Sequence, residues 1–214
     1  IEPMLNQGNR INRKHFFDYV RSHLFDGKLS VLQAAGLTAI LDKWQAEHPA
    51  GDDRRLAYML GTAHHETGRT MQPVRETFAT SDDQAIARLN SAYAKGVLTW
   101  VKTPYWRKDA QGRSWLGRGF VQITHKSNYE KMAPYAGVDL VSHPERAMDM
   151  PVALAIMFEG MRRGSFTGKK LADYFNGSTE NWKHARRIIN GNERADLVAS
   201  YAKSYYAAIS YTTG

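Results

Sequence analysis

The 214-residue chain contains no cysteine. That absence removes disulfides, thiolate nucleophiles and zinc–cysteine sites together, leaves stability to packing, and confines any chemistry to carboxylates, histidine, hydroxyls or lysine. No apolar run approaches the roughly eighteen residues that span a bilayer, and no charged segment followed by a short apolar stretch marks a secretory signal. The expectation is a soluble protein without stable membrane insertion and without an export signal of its own. Internal repeats, low-complexity tracts and long linkers are missing too, so residues 4–214 read as one domain. Ile1, Glu2 and Pro3 precede Met4 and are set aside as an expected cloning remnant.

Acidic residues are the scarcer sign: 21 Asp and Glu against 29 Lys and Arg give a formal charge of +8, and the isoelectric point is near 9.6. Such a charge attracts polyanions, among them nucleic acid, anionic lipid and the acidic polymers of bacterial walls. The basic residues come as scattered pairs: Arg54 with Arg55, Arg107 with Lys108, Arg162 with Arg163, Lys169 with Lys170 and Arg186 with Arg187. Nucleic-acid modules favour a stripe or an arm, so no nucleic-acid partner is expected, and each pair reads as a solvated face.

What is present is mostly helical periodicity. Asn12 can cap a helix whose Phe16, Tyr19, Val20, His23 and Leu24 share a face. Ser30 with Gln33 forms a capping-box pattern ahead of Leu37, Ile40, Leu41 and Trp44, in a helix ending before Pro49, and Ser81 with Gln84 repeats the signal ahead of Ala85, Ile86 and Leu89. Further helices are expected over 52–66, over 128–135, from Pro151 through Leu154, Met157, Phe158 and Met161 to Gly164, and through Leu197, Tyr201, Tyr205 and Ala208. Between Gly96 and Thr124 the helical period disappears among Gly, Pro, charges and aromatics, which predicts loops and short strands. The fold class is mainly α, with a small irregular or β wall.

The helix over 52–66 carries the most informative residue. Leu56, Met59, Leu60 and Ala63 lie on one face, and Glu66 continues it, so a carboxylate is expected to point inward or to line a cleft. Desolvation favours the protonated form of such a group, which suits a general acid. The plainer alternative is a helix end with Gly68 as its cap and Arg69 beside the carboxylate. His65 and Glu66 begin a His-Glu-x-x-His pattern, but Arg69 stands where the second imidazole would be. No metal is expected.

Ten residues on, Glu76 offers a second carboxylate on a predicted loop, with Asp82, Asp83 and Asp109 as the other candidates for a base. Glycoside hydrolysis by inversion uses such a pair: one acid protonates the leaving oxygen, and one base activates water from roughly 6.5–9.5 Å away. The alternative for Glu76 is an ion pair with Arg75 or Arg69. In the segment 115–129, alternation of Phe120, Gln122 and Thr124 against Val121 and Ile123 suggests a strand with one polar face, while Gly117 and Gly119 permit close backbone approach. Gln122 and Thr124 would together hold a water molecule. Tyr105, Trp106 and Trp115 flank this stretch and could stack on sugar rings, or simply serve the core.

His64-His-Glu-Thr-Gly68, the run GRGFVQITHKSNY over 117–129 and RIINGN over 187–192 together resemble the family 19 glycoside hydrolases, a family that includes plant chitinases and many phage endolysins. The motif order matches over most of the chain, and the Pro73–Glu76 wording and missing cysteines look more like the phage and bacterial wall-degrading branch. The resemblance implies a lysozyme-like helical fold with a cleft between two lobes, inversion of configuration and no cofactor; the missing linkers separately lead to the expectation of a single catalytic domain without a separate wall-binding domain. The resemblance assigns Glu66 as general acid, Gln122 and Thr124 to the nucleophilic water, and Asn128 and Asn190 to holding sugar or shaping the site; His65 and Arg187 are further expected substrate-binding residues. Chitinases of this family place the second glutamate further downstream than Glu76, so the base is either Glu76 or water activated by Gln122 and Thr124. The expected substrate is the β-1,4-linked glycan of peptidoglycan, cut by a monomer made in the host cytoplasm and acting on the periplasmic wall during lysis. A chitinase, and a non-catalytic wall-binding module, are the alternatives.

Overall fold

A computed structural model describes residues 11–210. The remnant expected at Ile1, Glu2 and Pro3 lies outside them. The chain is mostly helical, and it divides into two compact units: residues 11–71 with 160–210, and residues 72–159.

In the first unit, α1 (Arg13–Leu24) starts where Asn12 accepts a hydrogen bond from the His15 N–H, and it buries Phe16, Val20 and Leu24. Tyr19 and His23 share a face as expected, but they stack on each other at 3.8 Å with His23 exposed. α2 (Val31–Glu47) opens on the complete Ser30–Gln33 capping box, whose bonds satisfy two of the backbone donors a helix start leaves free. It buries Leu37, Ile40, Leu41 and Trp44.

α3 (Asp53–Glu66) is capped by Asp52 and is buried on every side from Leu56 through His64, where the sequence predicted a single apolar face. It lies along α8 (Ala195–Ser210), which buries Val198, Ala199, Ala202 and Tyr205. The approach is close at Gly61: a β-carbon there would stand 2.8 Å from the Ala202 nitrogen. Between them come α7 (Leu171–Tyr174), a 3-10 turn over His184–Ile188, and a hairpin the sequence did not predict, β3 (Phe175–Asn176) with β4 (Thr179–Glu180). Arg54 and Arg55 brace this hairpin by donating to the carbonyls of Gly177, Thr179 and Phe175. They are structural cations, not a solvated face.

In the second unit, β1 (Val74–Arg75) pairs antiparallel with β2 (Arg118–Gly119), Val74 opposite Gly119 and Arg75 opposite Arg118. α4 (Asp82–Ala94), capped by Ser81, packs Ala85 and Leu89 against Ala79, Trp106 and Leu116. α5 (Lys126–Ala136) buries Tyr129 and Met132 and ends on Gly137, whose φ of 70° suits glycine. α6 (Met150–Arg163) follows, its residues 150–159 counting with this unit and 160–163 with the other.

The strand expected over 120–124 does not form. Arg118 and Ile123 instead bond each other's backbone across a turn, and Phe120, Val121 and Ile123 are all buried. Two apolar residues in succession and a tight return to Arg118 outweigh the alternating pattern.

Candidate active site

Glu66 closes α3 in the first unit, at the end of the buried stretch. It retains 22% side-chain exposure, and its Oε1 accepts from the Arg186 guanidinium at 2.7 Å. Thr67 follows as the helix C-cap, its hydroxyl donating to the Ala63 carbonyl. Arg69 pairs with Asp26 and does not touch Glu66. The sequence predicted an apolar setting for Glu66, but the structure pairs it with a buried guanidinium.

Arg186 itself is 2% exposed and is fixed from the other side by donating Nε to the Glu193 carbonyl at 2.7 Å. Reading Arg186 and Arg187 as one solvated pair therefore missed the residue that meets Glu66. Arg187 is exposed and donates to Asn192, and the exposed Asn190 donates to Glu193. Neither contacts Glu66.

His65 is half-buried, and burial lowers its pKa, so the ring favours its neutral form. His64 points the other way, into the packing between α3 and α8. Its Nδ1 lies 2.8 Å from the Tyr205 hydroxyl, and burial pulls its pKa down to about 4.

In the second unit Glu76 begins a short 3-10 turn directly after β1. Neither expected ion pair forms, because Arg75 turns to Asp82. Neutral donors hold the carboxylate instead: the Tyr105 hydroxyl on Oε1 at 2.6 Å and the Gly117 N–H on Oε2 at 2.8 Å. The Glu76 N–H returns a bond to the Gly117 carbonyl, so one residue of the glycine-rich segment grips both the backbone and the side chain of Glu76. Burial first, then the adjoining carboxylate, push the Tyr105 pKa well up, which keeps it a donor. The chain then takes positive φ at Thr77 (65°) and Phe78 (56°), unusual for non-glycine residues and a sign of backbone held by its surroundings.

Beneath this lies an ion network that the sequence did not reveal. Arg118, 1% exposed, donates to Asp82, to the Ser114 carbonyl and to the Tyr129 hydroxyl. Burial pushes the Asp82 carboxyl up, but the guanidiniums of Arg118 and Arg75 more than offset this and hold it below its ordinary value. Asp82 thus ties together the two arginines that face each other across β1 and β2 and is committed as a counter-ion. Asp109 is likewise occupied, by the N–H groups of Gln111 and Arg113 and by the indole of Trp115.

Gln122 donates Nε2 to the Val74 carbonyl at 3.0 Å. Its Oε1 lies against Gly117, where a β-carbon would stand 2.7 Å away, so a larger residue at 117 would push the Gln122 amide from this position. Thr124 Oγ1 lies 3.0 Å from His125 Nδ1, and Asn128 donates to the Thr124 carbonyl at 2.7 Å. The structure thus brings Glu76, Tyr105 and Gln122 onto the β1–β2 segment and places Thr124, His125 and Asn128 in one run beside it. Trp106 is different. It is fully buried, its indole donates to Asn90, and it belongs to the core instead of a sugar platform. Among the described residues no group of three or more His, Cys, Asp or Glu could hold a metal.

A bacterial family 19 chitinase, described by its solvers as differing from the plant enzymes, superposes over 95% of this chain and 97% of its own, with a TM-score of 0.59 and 19% identity. The chain has the fold of the family 19 chitinases. Chitinase C from Streptomyces griseus shares that fold over 95% of this chain and 78% of its own (TM-score 0.55, 17% identity). A glutamate-to-glutamine mutant of chitinase C does so over the same shares (TM-score 0.56, 18% identity). No protein-family model and no curated protein matches the sequence. The family 19 fold therefore accounts for the helical architecture, and identities this low extend to the fold alone.

Proposed function

We propose that the protein is an inverting glycoside hydrolase that cuts β-1,4 linkages in the glycan strands of bacterial peptidoglycan. The observation that carries this reading is the setting of Glu76: a carboxylate gripped by a phenol and a backbone amide, ion-paired with no cation among the described residues, and joined by hydrogen bonds to the glycine-rich segment. Such a carboxylate keeps an open lone pair and is oriented to take a proton from water.

Glu66 supplies the proton. The glycosidic oxygen accepts it as the C1–O bond breaks, water attacks C1 from the opposite face, and Glu76 receives the proton that water gives up. The Arg186 guanidinium occupies Glu66 Oε1, so this role requires that substrate binding weaken that contact. Gln122 and Thr124 orient the water, while His65 and Asn128 contact the glycan. The net charge of +8 suits an anionic wall polymer. The biological role proposed is host lysis by a phage-type endolysin, made in the cytoplasm and reaching the wall in the periplasm, acting as a monomer from a single catalytic domain. Among the described residues no helix is long and apolar enough to cross a membrane.

Chitin hydrolysis is the second reading, favoured by the solved structures of this fold, which are described as chitinases. Turbidity loss of chloroform-treated Gram-negative cells, set against release of soluble fragments from chitin, separates the two. Lysis without chitin fragments supports the first reading, and the reverse result overturns it.

A further inference from the structure

Of the five tryptophans, Trp44, Trp106, Trp115 and Trp182 are buried, whereas Trp100 is 74% exposed. Leaving an indole in water forgoes one of the largest gains from burial a side chain can make, so its position calls for an explanation in what it faces. It lines a cavity of about 480 Å³ within the second unit, together with Lys102, Tyr105, Thr124 and His125. That volume is of the order that holds a saccharide unit with a substituent.

Three features of the cavity point to its occupant. Tyr105 is the residue that donates to Glu76, so the cavity shares a wall with the proposed base. Lys102 is exposed and makes no ion pair with any described carboxylate, unlike Lys14, Lys43, Lys108 and Lys126. No Asp or Glu lines the cavity. An aromatic face, an uncompensated ammonium and no acid suit an anionic sugar better than a neutral one.

We propose that this cavity seats an N-acetylmuramoyl unit, with Trp100 against the apolar face of the ring and Lys102 opposite a carboxylate on the C3 substituent. Lys102 then selects peptidoglycan over uncharged chitin. The inference rests on the peptidoglycan reading above. Where a stem peptide is attached, the lactyl carboxyl is tied up in an amide and the carboxylate belongs to the peptide; where the peptide has been removed, the lactyl group itself supplies it.

The test uses the full chain on three soluble substrates: uncrosslinked glycan strands bearing stem peptides, the same strands with every carboxylate converted to a methylamide, and strands stripped to the lactyl acid by an amidase. Circular dichroism confirms that each variant is folded. Lys102→Glu is expected to raise KM on peptide-bearing strands about fivefold more than on methylamidated strands, the scale of an exposed charge pair. Trp100→Ala is expected to raise KM on both by a similar factor, because stacking does not depend on charge. A Lys102→Glu effect on stripped strands as large as on peptide-bearing ones shows that the site takes any carboxylate at the C3 substituent, and an effect confined to peptide-bearing strands shows that it reads the stem peptide. Equal KM changes for Lys102→Glu on charged and methylamidated strands, or none, overturn the inference. Failure of the unaltered protein to release reducing ends from any of the three strands overturns the peptidoglycan reading instead.

Discussion

The Tyr105 hydroxyl donates to Glu76 Oε1 at 2.6 Å, so a residue from the aromatic loop fixes the orientation of a carboxylate 29 positions earlier. The other donor to that carboxylate among the described residues is the backbone of Gly117. A side chain held from two directions enters the reaction already oriented, and orientation is a large part of what positioned groups contribute to rate.

Tyr105→Phe removes that donor and keeps the ring against Trp106 and His125. A hydrogen bond to a charged group is worth about 1.5–3 kcal/mol. The variant is therefore expected to lose roughly 10- to 100-fold in kcat on peptidoglycan while keeping its melting temperature within a few degrees. Stopped reducing-sugar assays and thermal unfolding measure the two quantities. An unchanged kcat removes Tyr105 from the account.

Adjacent arginines are predicted to behave differently. Arg186 is buried against Glu66, and breaking a buried pair from one side costs about 3–5 kcal/mol. Glu66 keeps some contact with water, so Arg186→Met is placed at the lower end, about 3 kcal/mol. Arg187→Met, at an exposed site, is expected to stay within about 0.5 kcal/mol. Urea denaturation of both variants checks the contrast, and equal losses would contradict the assignment of Arg186 as the partner of Glu66.

Trp106→Ala is expected to destabilise the fold by about 3–5 kcal/mol, as for a large aromatic removed from a core. Its indole lies among Ala85, Leu89 and Leu116 and has no exposed surface. A loss of substrate affinity with unaltered stability would instead return Trp106 to the substrate-binding role expected from its place beside the glycine-rich segment.

Stability is expected to depend on pH through His64. Burial lowers its pKa from an ordinary 6.5 to about 4, so between these values the unfolded chain binds a proton that the folded chain refuses. Stability is therefore fully present above about pH 6.5 and declines as pH falls toward 4, by up to about 3 kcal/mol from this residue. Comparing unfolding free energies of the native chain and His64→Phe from pH 7 to pH 4 isolates the effect. Parallel curves would contradict it.

The helix starts were legible because they are written locally. Asn12, Ser30 and Ser81 each accept from a backbone N–H three residues ahead, and such a bond needs no tertiary context. Glu66 was legible as the end of an apolar helix, and Glu76 as a lone glutamate in a long stretch. Their partners were not. Arg186 sits 120 residues from Glu66, and nothing in the Arg186–Arg187 pair tells which cation turns inward until the 3-10 turn is folded. The hairpin over 175–180 has strands of two residues each, too short for alternation to register. The strand predicted over 120–124 failed because the buried turn back to Arg118 mattered more than the polar–apolar rhythm, and Gln122 reached the Val74 carbonyl from that turn.

The most direct measurement is digestion of purified peptidoglycan in water enriched in oxygen-18, with the new chain ends read by mass spectrometry for the native protein, Glu66→Gln and Glu76→Gln. Two-carboxylate hydrolysis predicts reducing ends carrying one heavy oxygen from the native protein, and a fall of several orders of magnitude in their formation for both variants, with wall binding retained. Anhydro ends without label, or labelled ends formed at native rates by either variant, would contradict it.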